Sequence, residues 1–174
     1  MRPAALLRLT LVLAAAFSLS ACATAQRLSA ANDVHALLVS IRDNDSAAFE
    51  AHVDRKALKR EIEARLVDRT RTAQGGDGWK ALGVILAPAL ADIAGDSLVQ
   101  PKVFRSVAEY YGYKPSTPIP GAVAIAGSLK AMPDGRVCAT RKKDGPCMLV
   151  FTQTDGTWKL SGFEGDISML RVKL

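Results

Sequence analysis

Apolar positions in the first half of the chain recur at helical spacing. Val34, Leu37, Leu38 and Ile41 stand at i, i+3, i+4 and i+7, which predicts an amphipathic helix. Arg42-Asp43-Asn44-Asp45 interrupts it, and a short helix carrying Phe49 follows. Asp54 is placed to cap a third helix, where Leu58, Ile62 and Leu66 repeat every four residues. Residues 74–78 read as a flexible loop. Residues 79–94 form a strongly apolar helix, kinked at Pro88 and stopped by Gly95. Pro101 suits the first turn of a fifth helix bearing Val103, Phe104, Val107 and Tyr110. The proline-rich stretch 114–121 must be extended or turned. After Gly121 the pattern changes to strands. Val123, Ile125 and Leu129 alternate with small residues, and Met132-Pro133-Asp134-Gly135 is a turn signal. Residues 136–141, 147–154 and 157–163 read as strands, with Asp155-Gly156 as a tight hairpin turn and Trp158 and Leu160 on one face. A last strand is expected at 167–174. Helices first and an antiparallel meander second give an α+β fold: about five helices on one face of a sheet of four or five strands.

The start of the chain has a different pattern. Arg2 and Arg8 precede a short apolar core, residues 9–17, and Leu19-Ser20-Ala21-Cys22 closes the segment. This has the form of a secretory signal, and its last four residues resemble the bacterial lipobox at every position. The resemblance implies that residues 1–21 are cut away and that Cys22 carries a diacylglyceryl group and an N-acyl chain, palmitate among them. One acyl chain holds a protein only marginally, whereas several make attachment stable, at about 0.8 kcal/mol per buried CH₂. Ala23 rather than Asp after the cysteine resembles the sorting choice of outer-membrane lipoproteins. The competing reading is an uncleaved helix, since residues 9–26 are uncharged and barely long enough to span. Residues 22–29 would be the lipidated cysteine and a polar tether, and residues 30–174 a single domain.

Composition adds bounds. Of 174 residues, 49% are apolar, which excludes a disordered chain. Without residues 1–21 the chain keeps 21 basic and 17 acidic side chains, a net charge of +4. With Cys22 acylated, Cys138 and Cys147 remain, and an even pair in an exported protein favours a disulfide. Their spacing of nine is odd, as a two- or four-residue hairpin loop requires for directly opposed residues. The Asp144-Gly145 pair suggests a turn centred later, which would miss that register. Two free buried thiols are the alternative.

Few residues suggest chemistry. Glu50, His52 and Asp54 lie close in sequence, but no second histidine or cysteine stands at metal-grip spacing, and a spacing of two points helical side chains to different faces. Neither a nucleophile elbow nor a phosphate-cradling loop is present. No catalytic residue, metal or cofactor is expected. Arg55, Lys56, Lys59, Arg60, Arg65, Arg69 and Arg71 oppose only Glu61, Glu63 and Asp68 between residues 55 and 71. They read as a solvated helix face, or as a contact for anionic lipid headgroups or another acidic envelope polymer. A cleft lined by Trp79, Val84, Phe104 and Tyr110 would suit a small ligand.

The run Ile41 to Phe49 followed by Val53-Asp54-Arg55-Lys56-Ala57-Leu58 resembles an uncharacterised bacterial family, domain of unknown function 2939. Leu86-Ala87-Pro88-Ala89-Leu90-Ala91-Asp92, Gln100-Pro101 and Trp158-Lys159-Leu160 extend the resemblance over about residues 30–170. The family implies no activity. The opening is also similar to cystatin-like and nuclear-transport-factor-like rolls, which wrap a curved sheet around a long helix. Those rolls usually place strands between their early helices, and none is predicted here. The expectation is a non-enzymatic lipoprotein of the outer membrane, facing the periplasm, that binds or scaffolds an envelope protein, lipid or polymer and no nucleic acid. A small-ligand or lipid-binding module and an enzyme are the alternatives.

Overall fold

The computed structural model describes residues 3–72, 93, 96–110, 112–141 and 145–164. The described helices are α1 (Pro3–Asp43), α2 (Ser46–Ala51), α3 (Arg55–Thr72), α4 (Pro101–Tyr110) and α5 (Ala122–Gly127). Strands β1 (Leu129–Ala131), β2 (Val137–Thr140), β3 (Cys147–Thr154) and β4 (Thr157–Phe163) form one antiparallel sheet in the order β1-β2-β3-β4. The fold is α+β, with helices N-terminal and the sheet C-terminal. Of the apolar helix expected at 79–94 only Ile93 is among the described residues, and the loop at 74–78 and the strand expected at 167–174 fall outside them.

Local chemistry sets the joints. Asn44 adopts a left-handed φ of 53° and ends α1. The amide of Asn44 donates to Ile41 O at 3.4 Å and that of Asp45 to Ser40 O at 2.9 Å, the paired bonds of a Schellman stop. Asp45 then caps α2 through the Ala48 amide at 3.0 Å, and Asp54 caps α3 through the Ala57 amide at 2.9 Å. Gly112, at φ 92°, ends α4 with the same pair of bonds, Gly112 N to Glu109 O and Tyr113 N to Ala108 O, each 3.0 Å. Asp155 and Gly156 both take positive φ, as a two-residue hairpin matching strand twist requires.

The core lies between α1 and one face of the sheet. Ala30, Ala31, Val34 and Leu37 of α1 meet Leu129, Val137, Phe151, Trp158 and Leu160, and Phe49, Val53, Leu58 and Ile125 close the sides. Two expectations are corrected here. Residues 122–127 form helix, because Ala122, Ile125 and Ala126 fall at i, i+3 and i+4 and bury that stripe against the core, leaving Val123 80% exposed. Residues 23–29, expected as a polar tether, are helical and part of α1. They are mostly helix formers, and the side chains of Gln26 and Ser29 bond to the sheet side of the molecule.

The outer edge of β4 is sealed. Asp33 Oδ2 accepts the Trp158 amide at 2.8 Å. The Leu160 amide donates to His52 O and Leu160 O accepts the Asp54 amide, each at 2.9 Å. Arg65 donates to Phe163 O. A partner strand therefore finds this edge occupied from Trp158 to Phe163.

Cys138 and Cys147 are joined in a disulfide, with Cα atoms 5.6 Å apart. They do not sit directly opposite. Thr140 faces Cys147 and Cys138 faces Val150, with a bulge after Ala139 that brings the two cysteines together diagonally on one face. Replacing both cysteines with serine is expected to cost about 2–3 kcal/mol in urea unfolding, the loop-closure value for so short a loop.

Candidate functional site

Among the described residues, three regions bear on the expected sites. The first is the seam where α1, the α2–α3 joint and β4 meet. His52 Nδ1 donates to Ala48 O at 2.8 Å, so Nε2 faces Asp33 Oδ1, 3.6 Å away. Asp33 spends its other oxygen on the Trp158 amide, and the Trp158 indole N–H donates to Ser29 Oγ at 3.2 Å. The group is a fastening of helix to strand: Asp33 and Ser29 hold the Trp158 amide and indole across the seam, and His52, bonded within its own helix, turns its other nitrogen to Asp33. Glu50 and Asp54 do not join it. Glu50 pairs with Arg55, and Asp54 caps α3. The other histidine, His35, likewise donates through Nδ1 to a backbone carbonyl, Pro120 O at 2.9 Å. Among the described residues no group of three histidines, cysteines or carboxylates could hold a metal ion. Sequence reasoning missed Asp33, since its partner lies 125 residues away.

The second region is α3. Arg55 pairs with Glu50, Lys59 with Asp96 at 3.0 Å, and Arg65 with Glu61 at 2.8 Å. Arg65 also lies over the Phe163 ring, 4.5 Å from its centroid. Lys56 and Arg60 are exposed. The side chains of Arg69 and Arg71 fall outside the described residues. Three of the seven expected basic residues are thus spent on neighbouring carboxylates, which weakens the field beyond the surface.

The third region is the β1–β2 turn. Gln26 Nε2 donates to Gly135 O at 2.7 Å. Asp134 accepts the Arg136 amide at 3.1 Å and its guanidinium at 2.7 Å, and these bonds hold the Asp134 carboxyl below its ordinary value. A carboxyl lowered in the folded state adds stability above its unfolded value and loses it as pH falls through the folded one. A crease of about 170 Å³ beside the disulfide is lined by Lys130, Met132, Pro133 and Thr140 among others. That is smaller than the usual pocket for a small organic ligand.

Of the residues expected to line a cleft, Trp79 and Val84 lie outside the described residues. Phe104 packs edge-on against Phe49, with ring centroids 5.4 Å apart, and Tyr110 is 56% exposed. Among the described residues no helix is long and apolar enough to cross a membrane.

No curated protein and no solved structure matches the chain. Residues 11–107 match the family described as Protein of unknown function (DUF2939). The matched range begins inside the N-terminal apolar segment and ends in α4, so the sheet and the Trp158-Lys159-Leu160 run lie beyond it. It covers more than half of the 174 residues, and the chain belongs to that family of proteins of unknown function.

Proposed function

We propose that this chain is an exported lipoprotein. Residues 1–21 act as its signal, Cys22 carries the acyl chains, and the α+β domain is held at the outer membrane facing the periplasm. There it binds or scaffolds an envelope component without catalysis. The observation that carries this reading is Leu19-Ser20-Ala21-Cys22 behind a basic start and a short apolar core. The Cys138–Cys147 disulfide supports it, because such bonds persist in oxidising compartments and are rare in the cytosol. The commitment of His52, Asp33, Glu50 and Asp54 to structural partners supports a binding role over an enzymatic one.

The test is growth with labelled palmitate, followed by intact-mass measurement of the purified protein. The wild type is expected to begin at Cys22 with acyl mass and to fractionate with membranes. The Cys22→Ser variant is expected to carry no label. An unmodified thiol at Cys22, or a mature protein that keeps residues 1–21, would refute the proposal.

A further inference from the structure

We infer that the domain meets the lipid bilayer with the β1–β2 turn end of its sheet, residues 132–136 flanked by Arg27 and Lys130, and that α3 leads away from the lipid. The inference rests on acylation of Cys22, proposed above.

Three ties set the path of α1 over the sheet. Asp33 holds the Trp158 amide and Ser29 the Trp158 indole, both at β4. Gln26, two turns earlier than Asp33, holds Gly135 in the β1–β2 turn. The helix therefore crosses from β4 toward that turn as it approaches its N-terminus. It remains helical through Cys22, four residues or ~6 Å before Gln26. A flexible tether would let the body tumble beneath its anchor. A helix tied at three points brings the body to the membrane turn first.

The same end has the charge that headgroup phosphates select. Arg27 and Lys130 have no carboxylate partner among the described contacts: Arg27 bonds to Thr24 Oγ1 at 3.4 Å, and Lys130 is exposed. Arg136 is balanced by Asp134. Two cations without a carboxylate partner thus flank the turn beside exposed Pro133 and half-buried Met132, against one exposed carboxylate, Asp155, at the neighbouring hairpin.

The direction of α3 is fixed by β4. Its start sits at Leu160, through the Asp54 amide, and Arg65 sits at Phe163. Val53 and Leu160 bridge in parallel, so the chain entering α3 runs with β4. Strand β4 leaves the hairpin turn at Asp155-Gly156, which lies at the same end of the sheet as the β1–β2 turn. Helix α3 therefore climbs away from Cys22. Ala64, exposed on its outer side, stands ~14 Å of helix beyond Arg55. That exceeds the ~10 Å over which surface charge acts at 0.1 M salt.

The experiment uses the full acylated protein in vesicles of phosphatidylethanolamine and phosphatidylglycerol that contain nitroxide-headgroup lipid. One cysteine is introduced by Pro133→Cys or Ala64→Cys and labelled with a nitrobenzoxadiazole fluorophore; Asp134→Cys serves as a second probe at the turn. Quenching is expected to be several-fold stronger at 133 and 134 than at 64. Equal quenching, or stronger quenching at 64, overturns the inference. Four glycine and serine residues inserted between Ala23 and Thr24 should abolish the contrast, and persistence of the contrast would show that the helix does not orient the body. Protein that fails to sediment with vesicles refutes the acylation on which the inference rests, a failure distinct from a wrong orientation.

Discussion

Phe49→Ala will lower the unfolding free energy by about 3–5 kcal/mol, the usual cost of emptying an aromatic site in a closed core. Phe49 is fully buried, and its ring meets Phe104 edge-on at 64°. It is also the only buried side chain of α2, a helix of six residues. So short a helix has no stability of its own, because nucleation outweighs the few bonds it makes. The Asp45 cap and the Phe49 anchor are what hold it. Emptying the site should therefore lower the urea midpoint and loosen the joint that carries His52 and Asp54 to β4. A loss below about 1 kcal/mol would mean that the Phe49 site collapses or is filled from elsewhere.

Trp158→Ala will have an effect of similar size, about 3–5 kcal/mol, with a different local signature. Trp158 is 2% exposed and belongs to the same buried core cluster as Ala30 and Ala31 of α1. Its backbone amide keeps Asp33 in either variant, so the loss comes from the side chain: the apolar contact and the indole bond to Ser29. Trp158→Phe retains most of the ring area and should cost about 1 kcal/mol, near the net worth of one hydrogen bond. Hydrogen exchange distinguishes the two. In Trp158→Ala, amides of residues 23–31 should lose protection before those of α3 do, since this part of α1 rests on the indole. Uniform loss across all helices would show that the region does not open locally.

Elements whose ends are written in local chemistry were legible from the residues. Asp54, Pro101 and Asp155-Gly156 each act within one turn of backbone, and each stands where the pattern placed it. The alternation of Trp158 and Leu160 marked the buried face of β4 correctly. Where the expectation failed, two local readings were close. Ala-Val-Ala-Ile-Ala-Gly alternates like a strand and also places Ala122, Ile125 and Ala126 on one helical stripe; packing against α1 selected the helix. Residues 23–29 lack a long apolar face, so nothing in them announced that Gln26 and Ser29 would find partners on the sheet side.

The residues alone determined the order of helices and sheet, the caps and the tight turns. These follow from preferences that act over one turn or one hairpin. Tertiary structure decided which polar side chains meet. Gln26 and Gly135 are 109 residues apart and Asp33 and Trp158 are 125 apart, and no local preference links them. It also decided the disulfide geometry, since one extra residue in β3 turned an unfavourable register into a diagonal pair. Burial of α1 on the sheet brought these groups within hydrogen-bond reach, and an unpaired polar group in that seam would cost more than the pairing does.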